Sequence, residues 1–179
     1  MSTTALITGG TSGIGRAVAN KLAQLGIHTL VVGRNEERGQ KTIAEIRAAG
    51  GQANFISSDL RDASSARHVA RRAIELGNGH IDILINNAGV YPFGSTHETS
   101  EELFDKVYSL NVKVPYFLVA ELAPLMAKRG RGAIVISRPW LPITERPVRA
   151  STDQAKLLST CLRKRGRLNM AAAASASMP

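Results

Sequence analysis

Cysteine is nearly missing: Cys161 is the only one in 179 residues. That excludes a disulfide framework and a zinc site built on cysteines. Aromatic residues make up only 4% of a chain whose apolar fraction is 44%. The core must therefore come from Ala, Val, Ile and Leu, a globular rather than disordered composition, in an amount that suits one domain. The N-terminus lacks a signal-type apolar segment, and no uninterrupted apolar run reaches membrane-spanning length. The sequence thus predicts a soluble cytoplasmic protein with no membrane partner. Acidic residues are scarce as well, and the formal net charge is +9. The imbalance is local. Residues 136–179 hold eight Lys/Arg against two Asp/Glu, while residues 1–135 hold fifteen against twelve. The basicity belongs to the tail, so nucleic acid is not an expected partner. No residue pattern calls for a metal.

What is present is an alternation. Short apolar runs stand at 4–8, 28–33, 53–58, 81–86 and 132–135. Helical periodicity fills the gaps at Ile14–Leu25, Glu36–Ala49, Ala63–Leu76 and Glu101–Lys128. Strands alternating with helices predict an α/β fold, a doubly wound parallel sheet with helices on both faces. Gly26, Gly50 and Gly130 stand where helices should stop. Pro115 falls inside the last helical pattern and predicts a kink or break.

The most informative stretch is "TALITGGTSGIGRAVANKLAQLG". A strand ends at Thr8, a glycine-rich turn follows, and a helix begins near Ile14. Gly9 permits the tight turn, Gly13 lets backbone approach a pyrophosphate, and Gly15 lets the helix pack on the strand. The helix N-terminus offers N–H groups to phosphate oxygens. Arg34 ends the second strand, where a dinucleotide fold meets the adenosine ribose. An acid there binds a free 2′-hydroxyl, an arginine a 2′-phosphate, and neither Gly33 nor Arg34 is acidic. Asp59 and Leu60 follow the third strand, where a carboxylate can accept from an adenine amino group. Asn86, Asn87, Ala88 and Gly89 follow the fourth. Small residues there leave room for a cofactor, and asparagines can tie strand ends together. Asn111 sits within the long helix, either as a solvated residue or as the holder of a proton-relaying water.

Together, "TGGTSGIG", the Arg after strand two, the Asp-Leu pair, "NNAG", the helical Asn and "GRGAIV" resemble the short-chain dehydrogenase/reductase family. The resemblance runs nearly continuously through residues 1–135. It implies a Rossmann-type sheet of order 3-2-1-4-5, incomplete on its C-terminal side, that binds a nicotinamide dinucleotide. Arg34 selects NADP(H) over NAD(H). The implied cofactor-binding positions are Gly9, Thr11, Ser12, Gly13, Ile14, Gly15, Arg34, Asp59, Leu60, Asn86, Asn87, Ala88 and Gly89. Asn111 corresponds to the catalytic Asn of the family's Asn-Ser-Tyr-Lys set. The intact relative is an oxidoreductase, a homo-oligomer acting on a small alcohol or ketone.

The pattern fails after residue 135. The family's fifth strand continues Asn-Ile-Ser-Ser, with Tyr-x-x-Ser-Lys about a dozen residues on. Here Arg138 or Pro139 stands at the second Ser and Thr152 at the Tyr, four before Lys156. Lys156 is thus a doubtful match to the catalytic Lys. The genetic code supplies a reason. When codons are regrouped from the last base of one residue and the first two of the next, Met170–Ala171 must give Gly and Met178–Pro179 must give Ala. Third-base freedom then allows a Trp-Ala-Ala-Glu-Tyr-Gly-x-x-Gly-Val-Arg-Val-Asn-Ala reading and a Tyr across Ser151/Thr152. One base lost from the Val135 codon allows Val-Asn-Ile-Ser-Ser-Met from "VISRPW". The recovered second Ser and Tyr lie thirteen codons apart, as in the family. The sequence therefore divides at 135, with an NADP(H)-binding Rossmann domain before it and an aberrant basic tail, out of frame, at 136–179. The other reading is a tail with its own purpose, on a non-catalytic nucleotide-binding or interaction protein derived from the family.

Overall fold

The computed structural model describes residues 2–92 and 94–137. Five strands carry the expected runs: β1 (Thr4–Thr8), β2 (His28–Gly33), β3 (Ala53–Ser57), β4 (Ile83–Asn86) and β5 (Ala133–Ile136). They form one parallel sheet of order β3-β2-β1-β4-β5. The order and the doubly wound architecture match the expectation. β1 is buried along its whole length because helices cover both sides of a central parallel strand, which is why it reads as an unbroken apolar run.

Register sorts the side chains by parity. Leu6 lies beside Leu30 and Leu84, and Leu84 beside Ile134. These join one core cluster with residues of α3 (Ala63–Leu76) and α5 (Val114–Lys128). Ile7 lies beside Val31 and Ile85, and these face α1 (Gly13–Gln24) and α2 (Glu36–Ala48) in a second cluster. Gly26, Gly50 and Gly130 do end helices. Each takes a positive φ one residue past its C-cap, where L side chains are strained. At the opposite end of the sheet from the glycine-rich turn, the buried carboxylate of Asp82 accepts from Thr4 N–H at 3.0 Å and from Arg129 at 3.0 Å. It thereby joins the start of β1 to the turn that leads into β5.

The long helical pattern departs from a plain kink. α4 (Glu101–Tyr108) passes through a π-helical segment, Ser109–Lys113, into α5, and Val114 N–H donates to Ser109 O, five residues back. Pro115 lies in the first turn of α5, so the expected break takes the form of one wide turn. Pro124 also lies inside α5, itself exposed between buried Leu122 and Met126. By length and mean composition the 28-residue rod Glu101–Lys128 could cross a membrane, although charged residues, Glu121 among them, interrupt its apolar runs. In this fold its Leu118, Leu122 and Met126 are buried in the core. Expectations placed on residues 138–179, Lys156 among them, lie outside the described residues.

Candidate functional site

In an open parallel sheet, ligands bind beyond the carboxyl ends of the strands, at the point where strand order reverses. Here the reversal lies between β1 and β4. Hydrogen bonds align the strand ends at that edge: Gly10 N–H to Val32 O at 3.1 Å, Ser58 N–H to Gly33 O at 3.0 Å, and Ser137 N–H to Asn86 O at 2.9 Å. The β1–β4 junction is tied more heavily. The Thr8 hydroxyl accepts from the N–H groups of Asn87 and Ala88, both at 3.0 Å. The Asn87 amide returns to the carbonyls of Thr8 and Gly9, both at 3.2 Å. Asn87 thus ties strand ends as expected. Thr8 gives little signal in the sequence, a hydroxyl at the end of β1, which begins with another, Thr4.

The turn between β1 and α1 needs its glycines for different reasons. Gly9 adopts φ +65°, and a Cβ there would meet the Ala88 backbone at 3.0 Å. At Gly15 a Cβ would strike the Gly9 carbonyl and the Asn87 amide. Its partner is therefore the turn and Asn87, a refinement of the expected packing on the strand. Gly13, at φ +51°, faces open space. Three helices have side-chain caps: Asn35 on α2, Asp62 on α3 and Ser100 on α4. α1 has none: Ser12 makes no cap hydrogen bond, and its first turn carries no acid. Ile14, at the head of α1, is 72% exposed although apolar.

The remaining predicted residues divide. Arg34 is exposed and makes no ion pair among the described residues. Asp59 is exposed, whereas the Leu60 side chain turns into the core beside Val32 and Ile56. Leu60 can thus offer the edge only its backbone. Asn86 is buried, and neither polar atom of its amide has a partner among the described residues. Gly89 lies against Tyr91, whose phenol is pushed above its ordinary value by burial. Asn111 is not a solvated helix residue. Its Oδ1 accepts from Val90 N–H at 3.0 Å and its Nδ2 donates to Val90 O at 2.8 Å. The π-helical segment thus holds the backbone that follows Gly89. The residue four further on is Pro115, which has no N–H, so the Asn111 carbonyl lacks its α-helical donor.

Known proteins share this arrangement. The family described as short chain dehydrogenase matches residues 3–137. An uncharacterized oxidoreductase of Thermotoga maritima is 42% identical over 130 residues, covering 73% of this chain and 51% of its own. Dehydrogenase/reductase SDR family member 4 of Bos taurus is 38% identical over 133 residues, covering 74% and 47%. The chain thus spans about half the length of the curated relatives it matches. A metagenomic short-chain oxidoreductase, solved in complex with NADP, superposes with a TM-score of 0.82 at 31% identity, over 89% of this chain and 72% of that one. Sequence and architecture agree, and this chain belongs to the short chain dehydrogenase family.

Proposed function

We propose that residues 1–135 are the NADP(H)-binding half of a short-chain oxidoreductase acting, in its intact relative, on a small alcohol or ketone. The observation that carries this reading is the uncapped start of α1, set over a glycine turn with open space at Gly13. First-turn N–H groups without a side-chain cap suit a pyrophosphate, and the exposed Ile14 suits a cofactor lying over it. When bound, NADP(H) supplies or accepts a hydride at the nicotinamide, matched to the substrate carbonyl carbon. The chain's own groups would hold it. Backbone around Ser12 and Ile14 donates to phosphate, Arg34 pairs with the 2′-phosphate, and Asp59 accepts from the adenine amino group. Small Ala88 and Gly89 leave room, and Asn87 keeps β1 and β4 in register. Asn111 acts on Val90 through its side chain, and its main-chain carbonyl is available to a water. Tyr91, its phenol raised by burial, stays protonated near neutral pH.

Asn111 is the one catalytic position in register, so the 179-residue chain as written is impaired. We read 136–179 as an out-of-frame tail, a cytoplasmic location as part of the same reading, and a homo-oligomer for the intact relative only. The same shortage favours a second reading, a non-catalytic nucleotide-binding protein of this descent. Intact mass separates them: a species much heavier than 19.1 kDa supports the enzyme, and agreement supports the second.

The test of the site is titration. NADPH should bind more tightly than NADH by about tenfold to a hundredfold, the worth of one phosphate–guanidinium contact of roughly 1.5–3 kcal/mol. Arg34→Asp should reverse the order. Equal affinities for the wild-type chain, unchanged in the variant, would remove Arg34 from the site.

A further inference from the structure

We propose that Thr11 limits which cofactor-selecting residue the end of β2 can carry: by filling the space over Gly33 it bars an acidic side chain there, and so leaves selection of the 2′-phosphate to Arg34. This rests on the proposed NADP(H) reading and gives a distinct role to Thr11, one of the positions the resemblance implies.

Gly33 is the last residue of β2. Its φ lies outside the left-handed region, unlike that of Gly9 or Gly13, so backbone conformation does not demand glycine there. Space does. A Cβ at 33 would lie 2.5 Å from Thr11 Cγ2, 3.0 Å from Thr11 Oγ1 and 3.4 Å from Thr11 Cβ. The three nearest atoms all belong to one side chain, where carbon pairs prefer about 3.5–4.0 Å. Rotation of Thr11 gives no full relief. A β-branched side chain distributes two heavy atoms over three staggered positions. Two of those positions face Gly33, so every rotamer keeps a heavy atom in at least one of them. Nor does the turn retreat freely, since Gly10 N–H is bonded to Val32 O and the Gly9 carbonyl to Asn87.

The consequence is chemical. Dinucleotide folds select the unphosphorylated ribose with a carboxylate at the end of the second strand. With Thr11 in place a carboxylate at 33 would have to displace the turn that carries the pyrophosphate site. Arg34 then attracts the 2′-phosphate, and Thr11 excludes the alternative. Specificity here has an attractive half and a repulsive half.

The experiment is a cycle on the full 179-residue chain. NADPH and NADH are titrated into wild type, Thr11→Ala, Gly33→Asp and the double variant, and the thermal midpoint of each is recorded. Gly33→Asp should lose NADPH affinity by about tenfold or more without gaining NADH. The double variant should bind NADH at least about tenfold more tightly than Gly33→Asp alone. Thr11→Ala alone should retain the NADPH preference. Gly33→Ala, which adds only the Cβ, should lower the midpoint, and Thr11→Ala should restore it; this pair decides the matter if the Asp variant does not fold. Thr11 is overturned as a specificity residue if Gly33→Asp alone binds NADH as well as the double variant, or if Gly33→Ala leaves the midpoint unchanged. A wild-type chain with no NADPH preference would instead overturn the reading on which this rests, and the role of Thr11 with it.

Discussion

At the residue scale, the least conspicuous side chain of the edge is the one that most firmly joins its two halves. Thr8 is 1% exposed and its hydroxyl accepts from two N–H groups of the segment after β4. Thr8→Val keeps the shape and removes the acceptor. Two donors are then left without that acceptor at a partly buried junction, at about 1–3 kcal/mol each. The variant should unfold earlier in denaturant by at least that much, and bind NADPH more weakly because Gly9 and Ala88 no longer share a fixed separation. Thr8→Ser should lose little of either. Equal behaviour of the Val and Ser variants would show that the hydroxyl does not hold the junction. Residues differ in how openly the sequence declares them. The position of Arg34 is legible because it depends only on its place after an apolar run, and the role proposed for it follows from that position. Thr8 is not, because its partners lie 79 and 80 positions away. Leu60 was legible as a position beside a site but not as a core side chain, since one residue after a strand says nothing of which way it turns.

At the element scale, the five strands and the helices were legible almost to their ends, because central parallel strands read as apolar runs and helices stop at glycines. The π-helical segment was not. Five residues are too few for a 4.4-residue period to show against 3.6, and Pro115 signals a disruption without giving its form. That form decides what Asn111 does, since the wide turn brings its amide to Val90. Another element end offers a pH test. Asp62 caps α3 by accepting from Ser65 N–H at 2.7 Å, and Ser65 answers by accepting from Asp62 N–H. The backbone bond from Ser65, then its hydroxyl, hold the Asp62 carboxyl below its ordinary value. A folded-state pKa below the unfolded one gives stability that is present above the unfolded pKa. It is lost as pH falls through the folded one. Stability of the wild-type chain should therefore drop on acidification below about pH 4. Asp62→Asn can still accept the cap hydrogen bond but does not titrate, so its denaturation midpoint should fall less over the same range. Parallel pH profiles would remove Asp62 from the acid response.

At the scale of the whole molecule, a reductase needs hydride donor and proton donor in one frame of reference. On the proposed reading the described residues supply the frame on the cofactor side, with β4 and β5 paired to the level of Asn86 and Ile136. Backbone pairing is indifferent to side chains, so β5 forms whether or not the sequence beyond it keeps the family pattern. Chemistry is not indifferent. Beyond Val135 no Ser polarises a carbonyl in register and no Tyr stands ready with a proton. Loss of general acid/base catalysis alone costs about 10²–10⁴-fold. Among the described residues β5 also has no neighbour on its outer side, and an unpaired strand edge invites association. The 179-residue chain should therefore bind NADPH, oxidise none measurably against a panel of ketones, and self-associate in light scattering. Restoring one base in the Val135 codon should return Ser and Tyr thirteen codons apart, lengthen the chain, and give NADPH-dependent turnover from a well-dispersed protein. Both chains are assayed by NADPH oxidation. Robust turnover by the chain as written, abolished by Asn111→Ala, would mean that some other proton donor serves this fold, and the frame-shifted reading of its tail would fall.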